Sequence, residues 1–114
     1  MNFIIRLLIT AAVAYGLSMV LSGVQIPKFT DAIILAIVLA LLNTFVKPIL
    51  LILTFPITVL TLGLFLFVVN ALIILLADKL MDGITISGFW WALLFSLLLS
   101  IVSSFVQSLV GKKD

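Results

Sequence analysis

The chain has 114 residues, of which 66% are hydrophobic and only 9% are charged. A soluble domain usually carries about 25% charged residues, and one of this length leaves about a third of its unfolded-chain surface exposed to water. Too few polar side chains are present to cover that surface, so lipid must surround most of the protein. The six basic residues are scattered, without the clustered stripe that nucleic-acid binding requires.

Cysteine and histidine are both absent from the sequence. Disulfides, thiol nucleophiles, the soft and imidazole metal ligands and the usual general base near neutral pH are therefore missing. The sequence also shows no paired carboxylates within an apolar run, no glycine-rich phosphate loop and no serine beside a plausible base. We expect no enzyme activity, no catalytic residues, no cofactor and no metal site.

Four long apolar runs predict an all-α membrane protein with a single integral membrane domain over residues 1–114. We place the transmembrane helices at about 3–21, 30–47, 61–79 and 89–110. The first run also resembles a secretory signal, but its length and the equally apolar sequence behind it favour a retained helix. Pro48 and Pro56 indicate helix starts, so residues of about 48–60 are predicted to form an interfacial connector. A re-entrant loop that lines a pathway is the alternative.

The basic residues near the ends of these helices indicate the orientation of the chain. Four fall on the side of the termini and two on the other: Arg6, Lys47, Lys112 and Lys113 against Lys28 and Lys79. Cytoplasmic loops carry the excess of Lys and Arg, so we place both termini in the cytoplasm. Lys47, which can extend to the interface, and the aromatic pair Trp90 and Trp91 are predicted interfacial anchors.

A shift of sixty residues aligns the sequence with itself. Between positions 23 and 46 seven residues are identical to their shifted counterparts, namely Gly23, Ile26, Phe29, Ala32, Leu39, Phe45 and Val46. We predict two repeated helical hairpins in the same orientation, related by an axis near the membrane normal. Between its helices each copy alternates β-branched and polar residues, GVQI at 23–26 and GITI at 83–86, a pattern typical of short strands that could pair on the extracytoplasmic side; two ordinary loops are the equally weighted alternative.

Small and polar residues share one face on the last helix and on its repeat partner. They recur at spacings of three and four, as Ser96, Ser100, Ser103 and Gln107 on one helix and Ala36, Ala40 and Asn43 on the other. Such faces let helices approach closely, so we expect the second and fourth helices to meet there, with Ala36, Ala40, Ser96 and Ser100 at helix contacts. A water-lined pore face in an oligomer is the alternative. Asn43 and Asn70, the most polar uncharged residues within the helices, are predicted to pair near the cytoplasmic side.

Several motifs resemble those of the small four-span bacterial membrane proteins grouped as phage holin superfamily IV. They are NTFVKPIL at 43–50, FPITVLTLGLF at 55–65, VNA at 69–71 and GFWWA at 88–92, so the resemblance covers nearly the whole chain. The resemblance implies a holin-like role, in which the protein assembles in the inner membrane into lesions. It implies no catalytic or ligand-binding residues.

Three functions are compatible with this sequence. The first is an oligomeric, membrane-permeabilising protein, motivated by the resemblance and by the serines of the last helix. The second is a structural or accessory protein that binds another membrane protein or supports the envelope under stress. The third is a small transporter, disfavoured because no charge lies within the membrane where a substrate would need one. The expected partners are the lipid bilayer and either further copies of the chain or another membrane protein.

The predicted topology is testable with reporter fusions. A reporter fused to the C-terminus should lie on the cytoplasmic side. A reporter fused after residue 84 should lie on the opposite side, because the last predicted transmembrane helix separates that residue from the C-terminus. Paired alkaline phosphatase and fluorescent protein fusions measure this. A C-terminus on the outer side would mean that the connector also crosses the membrane.

Overall fold

Six α-helices, one π-helical turn and two short strands make up the part of the chain that the computed structural model describes, residues 2–111. In chain order they are α1 (Phe3–Val20), β1 (Val24–Gln25), α2 (Phe29–Leu41), the π turn (Leu42–Val46), α3 (Lys47–Leu53), α4 (Phe55–Leu60), α5 (Phe65–Leu80), β2 (Thr85–Ile86) and α6 (Phe89–Gly111). The predicted helical fold with two short strands is confirmed.

Three helical stretches are long and apolar enough to cross a membrane: Phe3–Val20, Phe29–Leu53 and Phe89–Gly111. The fourth, α5, has 16 residues, which corresponds to about 24 Å against a hydrocarbon core of about 30 Å. Adjacent residues of the α4–α5 turn must therefore lie at membrane depth if α5 spans. The four predicted span boundaries stay predictions.

The connector differs in detail from its predicted form. Helical structure continues without a break from Phe29 to Leu53, so α3 extends the second long helix instead of starting a separate one. A second short helix, α4, follows within the predicted connector. Pro48 and Pro56 do lie in the first turns of α3 and α4, but only Pro56 begins a separate helix, because α3 continues the second long helix.

The π turn explains how the second long helix passes Pro48. Proline has no N–H, and in a regular α-helix its ring collides with the carbonyl group four residues earlier. The wider turn avoids this collision, and the Lys47 N–H bonds instead to the Leu42 carbonyl, five residues back. The equivalent residue in the second copy is Ser108, and there α6 continues as a regular α-helix to Gly111.

The two hairpins repeat each other in boundaries and in burial. Helices α1 and α5 end at Val20 and Leu80, and α2 and α6 begin at Phe29 and Phe89, each pair sixty residues apart. Nine buried residues have a buried counterpart at the same offset: Ala11 and Ala71, Ala14 and Ile74, Leu21 and Met81, Val24 and Ile84, Ile26 and Ile86, Ala32 and Ala92, Leu35 and Phe95, Ala36 and Ser96, and Leu39 and Leu99. The sequence duplication is therefore also a structural one.

The strands join the two copies through a small antiparallel ribbon. Val24 pairs with Ile86 and Gln25 with Thr85. Gln25 and Thr85 occupy the same position in the two copies, so a twofold rotation that exchanges the copies maps this pair onto itself. The register is therefore the one that a twofold axis through the ribbon requires. The Ser87 N–H donates to the Gly23 carbonyl at 2.8 Å, whereas the symmetric bond would need an N–H from Pro27, which has none.

Two glycines let the copies approach each other beneath this ribbon. A Cβ atom at Gly23 would collide with the Trp91 ring, and one at Gly83 would collide with the Asp31 carboxylate. The two contacts are equivalent under the sixty-residue shift. Each copy thus places its glycine against the first turn of the other copy's second helix, where only a residue without a side chain fits.

Within the bundle α1 packs on α2 and α5 packs on α6, while α1 also lies along α6 and α5 along α2. Helices α2 and α6 occupy opposite corners of the bundle, so the expected close contact between them is at most marginal. The largest fully buried side chains are Phe95, Leu35, Val24 and Val69. They fill the middle of the bundle and the end beneath the strands, called here the ribbon end.

The turn between α4 and α5 contains an unusual backbone conformation. Leu62 has φ of 56°, and the Gly63 N–H donates to the Thr58 carbonyl at 2.8 Å while the Leu62 N–H donates to that of Val59 at 3.1 Å. This is the Schellman pattern, in which glycine normally takes the left-handed position that Leu62 occupies here. A left-handed leucine costs about 1–2 kcal/mol.

We therefore expect Leu62→Gly to raise the free energy of unfolding by about 1 kcal/mol. Leu62 is 94% exposed, so its truncation removes little packing. Leu64→Gly is the matched control: Leu64 is exposed but has helical backbone angles as the N-cap of α5, so glycine there relieves no left-handed strain and should bring no comparable gain. Thermal unfolding in detergent, followed by circular dichroism, measures both. A loss of stability in Leu62→Gly would contradict the cap assignment.

Candidate functional site

A cleft of about 510 Å³ opens between α1, the π turn with the end of α2, and the second half of α6. It lies at the opposite end of the bundle from the ribbon, called here the cleft end. Phe3, Leu7, Leu39 and Leu99 supply apolar parts of its wall. The remainder is largely polar, from residues Arg6, Thr10, Asn43, Thr44, Ser100, Ser103, Ser104 and Gln107. The whole cleft, with its apolar and polar wall residues, is called the polar cleft below.

A smaller cavity of about 90 Å³ adjoins the polar cleft on the side of α5. It shares Leu39, Asn43, Leu99 and Ser100 with the cleft and adds Lys47, Asn70 and Ser96, with two isoleucines of α5. Thr10 of α1 borders the cleft and its repeat counterpart Asn70 of α5 borders the cavity. The two spaces are therefore halves of one gap between the repeated hairpins.

Side-chain size explains why the gap opens only at this end. In the middle of the bundle the equivalent residues Leu35 and Phe95 are fully buried and fill the space between α2 and α6. Further along the same faces the pairs are Ala40 with Ser100 and Asn43 with Ser103. These side chains are too short to meet across the axis, and the space between them remains open.

The polar cleft brings together most of the residues predicted from the small and polar face. Six of them line it, namely Ala36, Ala40, Asn43, Ser100, Ser103 and Gln107, while Ser96 lines the adjoining cavity. Ala36, Ser96 and Ser103 are buried, Ala40 and Gln107 are half-buried, and Asn43 and Ser100 are exposed. The assignment of these residues to helix contacts or to a pore face stays a prediction.

The hydroxyl groups in the polar cleft differ in their hydrogen bonding. The Thr10 hydroxyl donates to the Arg6 carbonyl at 3.0 Å, and the Thr44 hydroxyl donates to the Ala40 carbonyl at 2.8 Å. The Ser103 Oγ is buried without a hydrogen-bond partner in the described part of the chain, and Ser103 is only 7% exposed. Such a group costs about 1–3 kcal/mol. Ser103 therefore has an unused donor at the cleft wall.

The predicted anchors and the predicted amide pair have distinct surroundings. Trp90 is 76% exposed at the start of α6, whereas Trp91 is half-buried against Gly23. Lys47 is half-buried and lines the small cavity together with Asn43 and Asn70. Their interfacial roles, and a hydrogen bond between the two amides, stay predictions.

Charges are divided between the two ends of the bundle. Arg6 and Lys47 lie at the cleft and its adjoining cavity. Asp31, in the first turn of α2, and Asp78 and Asp82, near the end of α5, lie at the ribbon end, and none of them lines the polar cleft. Residues 2–111 contain no group of three or more side chains suited to holding a metal ion.

Sequence reasoning missed the part of α1 that lines the cleft. Arg6 entered only the topology prediction, and Thr10 entered no site prediction. Their spacing of four residues places both on one helix face. That spacing, combined with the polar match between Thr10 and Asn70, was the available signal.

The fold and the cleft define a class: a small multi-pass helical membrane protein built from two repeated hairpins with a polar gap between them. Comparison with protein families then identifies it further. The chain belongs to the family described as mycobacterial four-TMS phage holin, superfamily IV, whose model matches residues 1–105. The resemblance noted in the sequence is confirmed. This family of membrane proteins is not typically enzymatic.

Two relatives are similar over much of the chain. The uncharacterized membrane protein YvlD of Bacillus subtilis is 35% identical over 104 residues, which cover 90% of this chain and 87% of that protein. An uncharacterized protein of Streptomyces coelicolor is 51% identical over 80 residues, 67% of this chain and 64% of that protein. The matched region thus spans less than two thirds of the Streptomyces relative. No solved structure matches the chain.

A pair of serine substitutions tests the geometry of the gap. Ser96 is buried, so Ser96→Leu should overpack the bundle and lower the free energy of unfolding by about 1–3 kcal/mol. Ser100 is exposed at the cleft, so Ser100→Leu should change stability by no more than about 0.5 kcal/mol. Thermal unfolding in detergent compares them. Equal losses would place Ser100 in a packed contact and contradict an open cleft.

Proposed function

We propose that this protein assembles in the bacterial inner membrane into homo-oligomers that permeabilise the membrane. The observation that carries the proposal is the polar cleft within a bundle that is otherwise apolar. Serine hydroxyls and amides are polar enough to hold water, and a lipid-embedded protein gains nothing from them unless they are paired or hydrated. Membership of the holin family supports the same function.

An oligomer is required because one copy offers no continuous polar path. Beyond the cleft, Leu35 and Phe95 are fully buried and fill the middle of the bundle. Ser100 and Ser104 are exposed at the cleft, on the same helix as the exposed apolar residues Ile101 and Phe105. In our proposal the apolar residues contact a neighbouring copy, and the serines line a path between copies.

The proposed orientation places the cleft at the cytoplasmic side and the ribbon outside. The sequence supports this orientation, because four of its six basic residues fall on the side of the termini, namely Arg6, Lys47, Lys112 and Lys113 against Lys28 and Lys79. We assign no catalytic step to the protein. Its chemistry in this proposal is the hydration of a polar surface within the bilayer.

Expression in a bacterial host tests permeabilisation. Induction of the wild-type chain should collapse the membrane potential and admit a normally excluded dye. The double variant Ser100→Leu with Ser104→Leu should slow dye uptake severalfold, because it makes the proposed path apolar. Ser108→Leu is the matched control, since Ser108 is an exposed serine of α6 that does not line the cleft, and it should behave like wild type.

Protein levels in the membrane must be equal for this comparison, and immunoblotting measures them. An intact permeability barrier at high levels of the wild-type chain would refute the proposal. If the cleft variant and the Ser108→Leu control changed dye uptake equally, permeabilisation would not depend on the cleft serines.

A second candidate function is that of an accessory protein that binds another membrane protein. The connector favours it, because neither α3 nor α4 has a buried residue, and Ile52, Leu53 and Leu60 are each more than 70% exposed. Crosslinking from position 52 in native membranes tests this function. Crosslinks to a specific second protein would support it, and only self-crosslinked species would count against it.

A further inference from the structure

We propose that the polar cleft binds the phosphate-bearing headgroup of an anionic phospholipid. The proposal concerns the same cleft as the proposed function but does not require permeabilisation. It follows from three features of the cleft: its charge, its unused hydrogen-bond donors and the apolar side chains beside its mouth.

The charge of the cleft favours an anion. Arg6 lines the cleft, Lys47 lines the adjoining cavity, and no acidic side chain of residues 2–111 lines either space. A guanidinium group can bind phosphate oxygens through two parallel hydrogen bonds. Basic pockets between transmembrane helices on the cytoplasmic side are well suited to acidic lipid headgroups.

The donors of the cleft fit the oxygens of a phosphodiester. The Ser103 hydroxyl is more than nine-tenths buried at the cleft wall and has no hydrogen-bond partner among residues 2–111. The hydroxyls of Thr10 and Thr44, by contrast, are already used on backbone carbonyls. The amide groups of Asn43 and Gln107 add further donors to the same wall. A bound phosphate would satisfy the Ser103 hydroxyl, the one buried side-chain donor left unpaired within residues 2–111.

The position and size of the cleft point to a lipid as the source of this phosphate. Arg6 lies in the second turn of α1 and Gln107 in the last turns of α6, so the cleft opens where two long helices end, at the level of headgroups. Phe3, Phe45 and Phe105 are each more than 60% exposed beside the polar residues and offer contacts for acyl chains. The volume of about 510 Å³ lies within the usual range for small-molecule sites.

Lipid binding can be measured on the full chain purified in a neutral detergent. Phosphatidylglycerol, phosphatidylcholine or inorganic phosphate is added, and native mass spectrometry with thermal unfolding reports binding. Phosphatidylglycerol should bind about tenfold more tightly than phosphatidylcholine: both lipids carry the phosphodiester, but only phosphatidylcholine carries a choline cation, which Arg6 and Lys47 repel. If phosphatidylcholine bound as tightly as phosphatidylglycerol, the proposal would be overturned. If inorganic phosphate bound as tightly as phosphatidylglycerol, the natural ligand would not need to be a lipid, and the lipid part of the proposal would be overturned.

Variants assign the binding to the cleft. Arg6→Gln should abolish most of the preference for phosphatidylglycerol, and Arg6→Lys should retain part of it. Lys28→Gln is the matched control, because it removes an exposed cation at the ribbon end, and it should bind like wild type. A preference that survives Arg6→Gln, or one that Lys28→Gln removes equally, would overturn the proposal.

Ser103→Ala tests the unpaired hydroxyl separately. It should weaken phosphatidylglycerol binding severalfold without lowering the unfolding temperature in the absence of lipid, since it deletes a buried donor that has no partner. Unchanged lipid binding in this variant would overturn the role of Ser103. Because these measurements use isolated protein, their outcome is independent of dye uptake in cells.

Discussion

Lipid offers no hydrogen bonds, so the backbone groups of this chain must find their partners within the chain itself, and most of the structure follows from that constraint. Long helices satisfy it along their length. Where the helices of each hairpin separate, β1 and β2 satisfy it by pairing with each other. The strands are only two residues long, but they connect segments that would otherwise leave backbone groups unpaired at the membrane surface.

Proline breaks the symmetry of the duplicated hairpins at two points. Pro27 lacks the N–H that its counterpart Ser87 donates to the ribbon, so the ribbon has one flanking bond where a symmetric pair would have two. Pro48 forces a π turn, whereas its counterpart Ser108 lies in a regular helix. Elsewhere the burial of the two copies corresponds closely. The departures from symmetry therefore have a local cause, the loss of one backbone donor at each position.

The periodic features of the fold were predictable from sequence. Phe29 and Phe89 begin equivalent helices, and the alternating segment between the two helices of each hairpin forms a strand, because both patterns depend on residues close together in the chain. Which helix packs against which was less accessible. The faces of α2 and α6 that carry small residues suggested direct contact, but the bundle places these helices at opposite corners.

The cleft shows the same limit of sequence reasoning. The residues on α2 and α6 that line it were selected by their spacing, whereas Arg6 and Thr10 on α1 were not, since the contact of α1 with α6 joins distant parts of the chain. The π turn was also missed. Proline in a helical pattern predicts an interruption, but local sequence does not distinguish a helix end from a wider turn within a continuous helix.

An open polar space in a membrane protein must be filled, because exposed amides and hydroxyls in hydrocarbon lose the hydrogen bonds that water provided. The polar cleft has three sources of partners: water, a lipid headgroup, or the side chains of a neighbouring copy. Water alone would leave Arg6 and Lys47 without an opposite charge, and a second copy would bring the same two cations to the same surface. A headgroup phosphate supplies both the negative charge and the acceptor oxygens. Displacement of that headgroup would then be a precondition for any assembly in which cleft serines line a path between copies, which couples the occupant of the cleft to the oligomeric state.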